Sequence, residues 1–397
     1  MRSTKKTTLA ATFAAILLAG GAQAQTAACG GDLGAFLEGV KAEAISRGVS
    51  PDVADRALAG ARIDQKVLSR DRAQGVFRQT FLEFSKRTVS QSRLDIGRKK
   101  LSELASVFAR AEQEFGVPGP VIAAFWAMET DFGAVQGDFN TRNALVTLAH
   151  DCRRPELFRP QLLAAIEMVG HGDLDPNGTT GAWAGEIGQV QMLPRDIIAF
   201  GVDGDGDGHV NVKQSAADAI LTAAKFIQHL GFTRGQPWIQ EVSVPESLPW
   251  EKTGLQPGMT AGDWFALGVT PRDGDTSFGG LAASLVLPQG RKGPAFITYP
   301  NFNIYLEWNQ SFIYTTSAAY FATRLAGAPP YERGNPEEGL SDEAMKQLQT
   351  RLQAMGHDVG KIDGILGSGT RAAIQKEQLR LGLPADGWAT QALLNAL

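Results

Sequence analysis

The stretch that most constrains this chain is residues 121–133, Val-Ile-Ala-Ala-Phe-Trp-Ala-Met-Glu-Thr-Asp-Phe-Gly. It reads as an apolar helix that ends in a carboxylate, Glu129. A helix with no polar face needs other elements around it, so the rest of the chain has to be organised about this one. The stretch holds no Lys, Arg or His to pair with Glu129. Desolvation disfavours the charged form of a carboxyl group and raises its pKa. An acid kept protonated near neutrality is what general acid catalysis on a glycosidic oxygen requires. The plainer reading is a helix-end glutamate that simply reaches solvent. The rest of the chain decides between the two.

At 397 residues the chain is too long for one ordinary core, and two or three domains are expected. With 43% hydrophobic and 20% charged residues it has the composition of a soluble globular protein. A formal net charge of -4 with scattered Lys and Arg argues against a nucleic-acid binder. The first residues read as an export signal: Arg2, Lys5 and Lys6 precede an apolar run at 9–19, and Ala22-Gln23-Ala24 supplies a small-x-small cleavage pattern. That run is too short to span a bilayer, which takes about 20 residues. Cleavage after Ala24 (signal 1–24) and release into the periplasm are expected. Cys29 lies well past the apolar run and has Thr26, not Leu, three positions before it, which argues against a lipid anchor. The two cysteines, Cys29 and Cys152, are most simply a disulfide in an oxidising compartment.

From residue 32 to about 116 the apolar spacing is helical, with Ser50 and Pro51 at one helix start and Val76, Phe77, Phe81 and Phe84 on one amphipathic face. A single helix is expected over 101–115. Beyond Glu129 the texture changes at 172–188, where glycine density reads as a surface loop that brings backbone close to a ligand. Residues 203–214 follow the calcium-loop pattern, with Asp203, Asp205 and Asp207 at positions 1, 3 and 5 and the His209 carbonyl at 7. Gln214 stands at position 12 in place of a bidentate Glu, so a weak calcium site is expected. Residues 237–287 alternate in short runs and read as a small strand-containing insertion, and 296–306 is also strand-like. A helix follows to about residue 325. Residues 329–338 form a proline-containing polar linker, and 339–397 a compact helical unit.

Several of these motifs are familiar together. Met-Glu-Thr-Asp-Phe-Gly at 128–133 and Gly-Ala-Trp-Ala-Gly-Glu-Ile-Gly-Gln-Val-Gln-Met-Leu-Pro at 181–194 resemble two motifs of the lytic murein transglycosylases of the membrane-bound B type. The Asp-Gly loop at 203–214, and Trp308-Asn309-Gln310-Ser311 with Tyr314 after it, fall where that family carries a calcium loop and an aromatic-Asn-x-Ser element. The tail resembles peptidoglycan-binding domain 1, on Leu348-Gln349, Leu352, Gly356, Asp363-Gly364, Gly367, Thr370, Ala373 and Asp386-Gly387. The family often has Ser at the place of Ala182, so one hydrogen bond to the sugar is expected to be missing.

The resemblance implies a mainly α protein. It would comprise a lysozyme-like catalytic core (25–328) with a helical N-terminal region and a small strand-containing insertion, and a three-helix C-terminal domain. It implies that Glu129 is the sole acid and base on the bond between N-acetylmuramic acid and N-acetylglucosamine, with the substrate's 2-acetamido group as nucleophile. Gln191 and Asn309 would hold acetamido groups or hydroxyls, Tyr314 would orient the intermediate, and Trp183 and Phe132 would offer faces to the sugar. No cofactor is needed for such chemistry, and a calcium at 203–214 would be structural; the partner is the glycan strand, and the protein is expected to be monomeric without a membrane span. Asp131, two residues from Glu129, would point to another helix face. Glu186 is expected at the rim, and His150, His171 and His229 as structural. An ordinary hydrolytic muramidase and a wall-binding protein without catalysis are the alternatives.

Overall fold

The computed structural model describes residues 29–73, 79–256 and 258–397. The expected export signal, and Val76 and Phe77, lie outside the described residues.

The apolar stretch forms the helix Gly119–Thr130, entered from Pro118 and closed by Asp131 in the left-handed region at φ 54°. Residues 121 to 127 are each at most 2% exposed, so this helix is buried on every side. Fully burying a side chain of this kind contributes about 1.5–3 kcal/mol, which makes the helix the centre of the hydrophobic core. The helices Gln91–Glu103, Ala105–Phe115, Ala216–His229 and Phe312–Leu325 pack around it. The single helix expected over 101–115 is two, broken at Leu104. Arg93, on Gln91–Glu103, donates to the carbonyls of Ala127 and Thr88 and so completes the C-terminal end of the central helix. A cation there is favoured by the helix dipole as well as by the unpaired carbonyls.

The insertion is a four-stranded antiparallel sheet in the order Thr270–Pro271, Ile239–Ser243, Ala295–Thr298, Ser284–Val286. Its strands alternate between two cores. Ile239, Val286 and Phe296 face the helical body, and Val242, Leu285 and Ile297 face a second cluster around Trp264. The strand reading of 296–306 is half right. The chain turns after Tyr299 and forms the helix Phe302–Trp308, in which Phe302, Ile304 and Tyr305 are buried. Its β-prone residues yield to that burial.

The tail is three helices, Asp342–Ala354, Ser368–Arg380 and Gln391–Ala396, around Met345, Leu348, Leu352, Ile374 and Leu393. It is docked rather than tethered. Gln375 donates to the Thr253 carbonyl at 2.9 Å, Arg371 to that of Pro288 at 2.7 Å, and Asp386 accepts from the Arg291 N–H at 3.0 Å. The stretch read as a linker is pinned too: Tyr331 shares a hydrogen bond of 2.7 Å with Ser85, and the Asn335 N–H donates to the Lys292 carbonyl at 2.8 Å. Among the described residues no helix is long and apolar enough to cross a membrane.

Candidate active site

Glu129 sits in the last turn of the central helix, half-buried, with one carboxyl oxygen engaged twice. Oε1 accepts from the Tyr314 hydroxyl at 2.5 Å and from the Trp308 indole N–H at 2.8 Å. Both donors are held from behind. Trp308 stacks on Phe125 of the central helix at 4.4 Å between ring centroids, and Phe226 closes on it edge-on at 5.7 Å. Tyr314 is aimed by the start of its helix. Ser311 caps that start by accepting from the Tyr314 N–H, and Asn309 Oδ1 accepts from the Ser311 N–H at 2.9 Å.

Burial pushes the Glu129 carboxyl upward, and this outweighs the two hydrogen bonds, which favour the charged form; the nearby Glu186 adds a smaller upward push. The negative end of the helix dipole acts in the same direction. Tyr314 is driven well above the usual tyrosine range by burial and by Glu129, so it remains a donor. A neutral acid whose ionised form has two donors waiting can give up a proton and take one back.

The loop at 181–194 meets the helix end directly. Thr130 Oγ1 donates to the Gln189 carbonyl at 2.5 Å and accepts from the Gly133 N–H at 2.9 Å. Gly133 has φ +86°, and a Cβ there would lie 2.7 Å from Gln189 Oε1. The stretch 172–188, read from sequence as a surface loop, is exposed at Gly172 and Gly178 but enters the body further on. Gly181, Gly185 and Gly188 are buried. A Cβ on Gly181 would lie 2.0 Å from the Glu186 carbonyl oxygen, so glycine here permits backbone to pack on backbone.

Of the residues singled out from sequence, Glu129 and Tyr314 are in contact. Gln191 has φ 50° and spends its amide hydrogens on the carbonyls of Gly188 and Gln136, at 2.8 and 3.3 Å. Trp183 is partly buried against the main core. Phe132 needs correction as a sugar platform: it is 7% exposed and meets Trp126 edge-on at 5.7 Å, so it belongs to the core. Asp131 turns away, as its helix position requires, and pairs with Arg93 at 2.9 Å. Glu186 is not an open rim group, since its Oε2 is buried without a hydrogen-bond partner among the described residues. His150 and His229 pack on Phe36 and Phe200. Trp308 was legible only as part of a motif, and nothing local to it points to Glu129. The left-handed conformation of Phe132, next to that of Asp131, likewise carries no local signal, because a bulky side chain rarely adopts it.

The acidic loop brings part of the expected set together with one further acid. Asp203, Asp205 and Asp218 bring ligand atoms within 4.8 Å of one another. Asp207 accepts from the His209 N–H, and Gln214 accepts from the Asn211 side-chain amide. Asp218, buried in the first turn of the next helix, adds a carboxylate from outside the expected loop pattern. Three carboxylates suit a hard, oxygen-seeking cation such as calcium. Cys29 and Cys152 form the disulfide.

A desolvated carboxyl delivered by a buried helix, with a helical tail docked alongside, defines a lysozyme-like helical class. The chain belongs to the family described as the transglycosylase SLT domain, whose model matches residues 33–323, and residues 341–397 match the putative peptidoglycan binding domain. Membrane-bound lytic murein transglycosylase B of Escherichia coli is 27% identical over 237 residues, which span 59% of this chain and 64% of that protein. The crystal structure of SltB3 from Pseudomonas aeruginosa in complex with NAG-anhNAM-pentapeptide is similar at a TM-score of 0.84 and 33% identity, over 92% of this chain and 99% of that one. The Escherichia coli lytic transglycosylase Slt35 in complex with calcium shares the fold at a TM-score of 0.64 and 24% identity, over 77% of this chain and 97% of that one.

Proposed function

We propose that this protein is a lytic transglycosylase of peptidoglycan, exported to the cell wall, and that Glu129 is its only acid and base. The observation that carries the reading is the division of the Glu129 carboxyl: Oε1 holds two donors, which leaves Oε2 to carry the proton. In the first step Oε2–H protonates the glycosidic oxygen between N-acetylmuramic acid and N-acetylglucosamine. The 2-acetamido oxygen of the muramic acid attacks its C1 as the bond to the leaving sugar breaks. In the second step the Glu129 carboxylate takes the proton of the C6 hydroxyl, whose oxygen closes on C1 and releases the acetamido group. The product is a 1,6-anhydro end, no water is consumed, and Glu129 is again protonated. No second carboxylate is needed, which agrees with Asp131 being paired to Arg93. Gln191, Asn309 and Trp183 would line the glycan, and the Asp203, Asp205 and Asp218 cluster would take a structural calcium.

Digestion of sacculi in heavy-oxygen water followed by mass spectrometry tests the reading. Anhydro-muropeptides without the label are expected, and Glu129→Gln should lose turnover while retaining glycan binding. Labelled reducing ends would assign a hydrolytic muramidase instead.

A further inference from the structure

The turn that follows Glu129 holds a conformation its residues do not favour. Asp131, Phe132 and Gly133 are three consecutive left-handed residues, at φ 54°, 59° and 86°. Glycine takes that region freely, whereas a bulky side chain such as Phe rarely does. Such a conformation persists only where the surroundings over-determine it, and it gathers at functional sites. Whatever fixes this turn also fixes where the last turn of the central helix, and Glu129 on it, comes to rest.

One face of the helix Gln91–Glu103 supplies the fastening. The Arg93 side chain is 18% exposed, and its three nitrogens go to three places. Nε donates to Asp131 Oδ1 at 2.9 Å, Nη1 to the Thr88 carbonyl at 2.6 Å, and Nη2 to the Ala127 carbonyl. Arg93 therefore grips the chain two residues before Glu129 and two residues after it. Its guanidinium also lies 5.6 Å from the ring centroid of Phe321, on the helix Phe312–Leu325 that carries Tyr314. Four residues on, and so on the same face, Gly97 lets the helix approach both neighbours at once. A Cβ there would lie 2.7 Å from Leu325 Cδ2 and 3.1 Å from Phe132 Cζ. Phe132 belongs to the left-handed turn and Leu325 to the helix of Tyr314. The carboxyl and its donor, 2.5 Å apart, are thus joined a second time, through a third element.

We propose that Arg93 is a positioning residue for Glu129: it clamps the left-handed turn to the helix that carries Tyr314, and so sets the carboxyl against its donor. The inference rests on the reading of Glu129 as acid and base given above. All three nitrogens of Arg93 are engaged elsewhere, so it acts on Glu129 through the turn rather than by contact. It also places a cation at the negative end of the central helix, which favours the Glu129 anion. Lysine would keep the cation but could not hold three acceptors in a fixed fork.

The test follows product release from purified glycan strands by the full chain, as wild type, Arg93→Met and Arg93→Lys, across pH, with the thermal midpoint as the check on folding. In Arg93→Met kcat should fall about 10- to 100-fold, the scale of a small misplacement of a reacting group. KM should stay within about twofold, because ground-state glycan binding is untouched. The alkaline limb of kcat/KM should move to higher pH: the helix-end cation is gone, and Asp131, left unpaired, pushes the same way, while Tyr314, Trp308 and Glu186 still face the carboxyl. Arg93→Lys should lie between, with part of kcat restored and a smaller move of the limb, and it carries the test if Arg93→Met does not fold. A wild-type kcat in a folded variant, a matching rise in KM, or a loss of kcat with the limb unmoved overturns the proposal. The two readings fail separately: absence of anhydro ends from the wild-type chain would sink the transglycosylase reading, whereas the variants decide the role of Arg93 on whatever product the wild type releases.

Discussion

Replacing Tyr314 by Phe tests the acid at the centre of the site with the loss of one oxygen atom. The Tyr314 hydroxyl donates to Glu129 Oε1 at 2.5 Å, and the ring is only 6% exposed, so Phe fits the same space. A hydrogen bond to a charged group contributes about 1.5–3 kcal/mol. This one is stronger once Glu129 has given up its proton, so its loss falls on the transition state more than on the ground state. At 1.36 kcal/mol per decade, kcat should fall about 10- to 100-fold. The pH profile gives the sign. Hydrogen bonds from Tyr314 and Trp308 lower the Glu129 pKa against the larger upward push of burial, so deleting one raises it. Activity requires the protonated acid and falls as pH rises through that pKa. The alkaline limb of kcat/KM in Tyr314→Phe should therefore move to higher pH while the plateau drops. Release of anhydro-muropeptides from purified glycan strands, followed from acid to alkaline pH, measures both, and the thermal midpoint checks folding. An unchanged kcat, or a limb that moves to lower pH, would refute the assignment of Tyr314 as a donor to the working carboxylate.

Glu186→Gln should shift the same limb the other way, to lower pH, and by less, because Glu186 supplies only the smallest of the pushes on Glu129; a shift upward would contradict the like-charge coupling. The Cys29–Cys152 bridge closes 123 positions of chain, and its reduction or the double serine variant should cost about 2–5 kcal/mol in denaturant unfolding. Calcium at a hundred times its dissociation constant should add about 2.7 kcal/mol of stability, seen as a higher thermal midpoint, and Asp205→Asn should reduce the rise. An equal rise in wild type and variant would place the cation elsewhere.

Much of this architecture is legible locally. The central helix, the Ser50 cap and the three-helix tail follow from spacing and caps, which are short-range signals. Glu129 is legible as an unpaired carboxyl because the apolar residues around it are its chain neighbours. Its partners are not. Trp308 and Tyr314 stand 179 and 185 positions away, and only the packing of the helix Phe312–Leu325 on the central helix brings them in. Asp218 was hidden for a related reason. As an acidic residue in a first helical turn it already has a local explanation, and only the folded loop turns it toward Asp203 and Asp205.

The same geometry explains how one carboxyl can serve as acid and then as base. Burial alone would hold Glu129 neutral but would make its anion costly, so the proton would be poorly released. Donors alone would leave it ionised and unable to protonate the leaving oxygen. Trp308 and Tyr314 combine with burial on a single oxygen, Oε1, and leave Oε2 to exchange the proton. Both donors are supplied from one short stretch of chain, held by stacking on Phe125 and by the Asn309 and Ser311 cap. A change in that cap, such as Ser311→Ala, acts on Glu129 by moving Tyr314 rather than by touching substrate, so it should lower kcat with little change in KM. A rise in KM alone would instead make Ser311 a glycan contact.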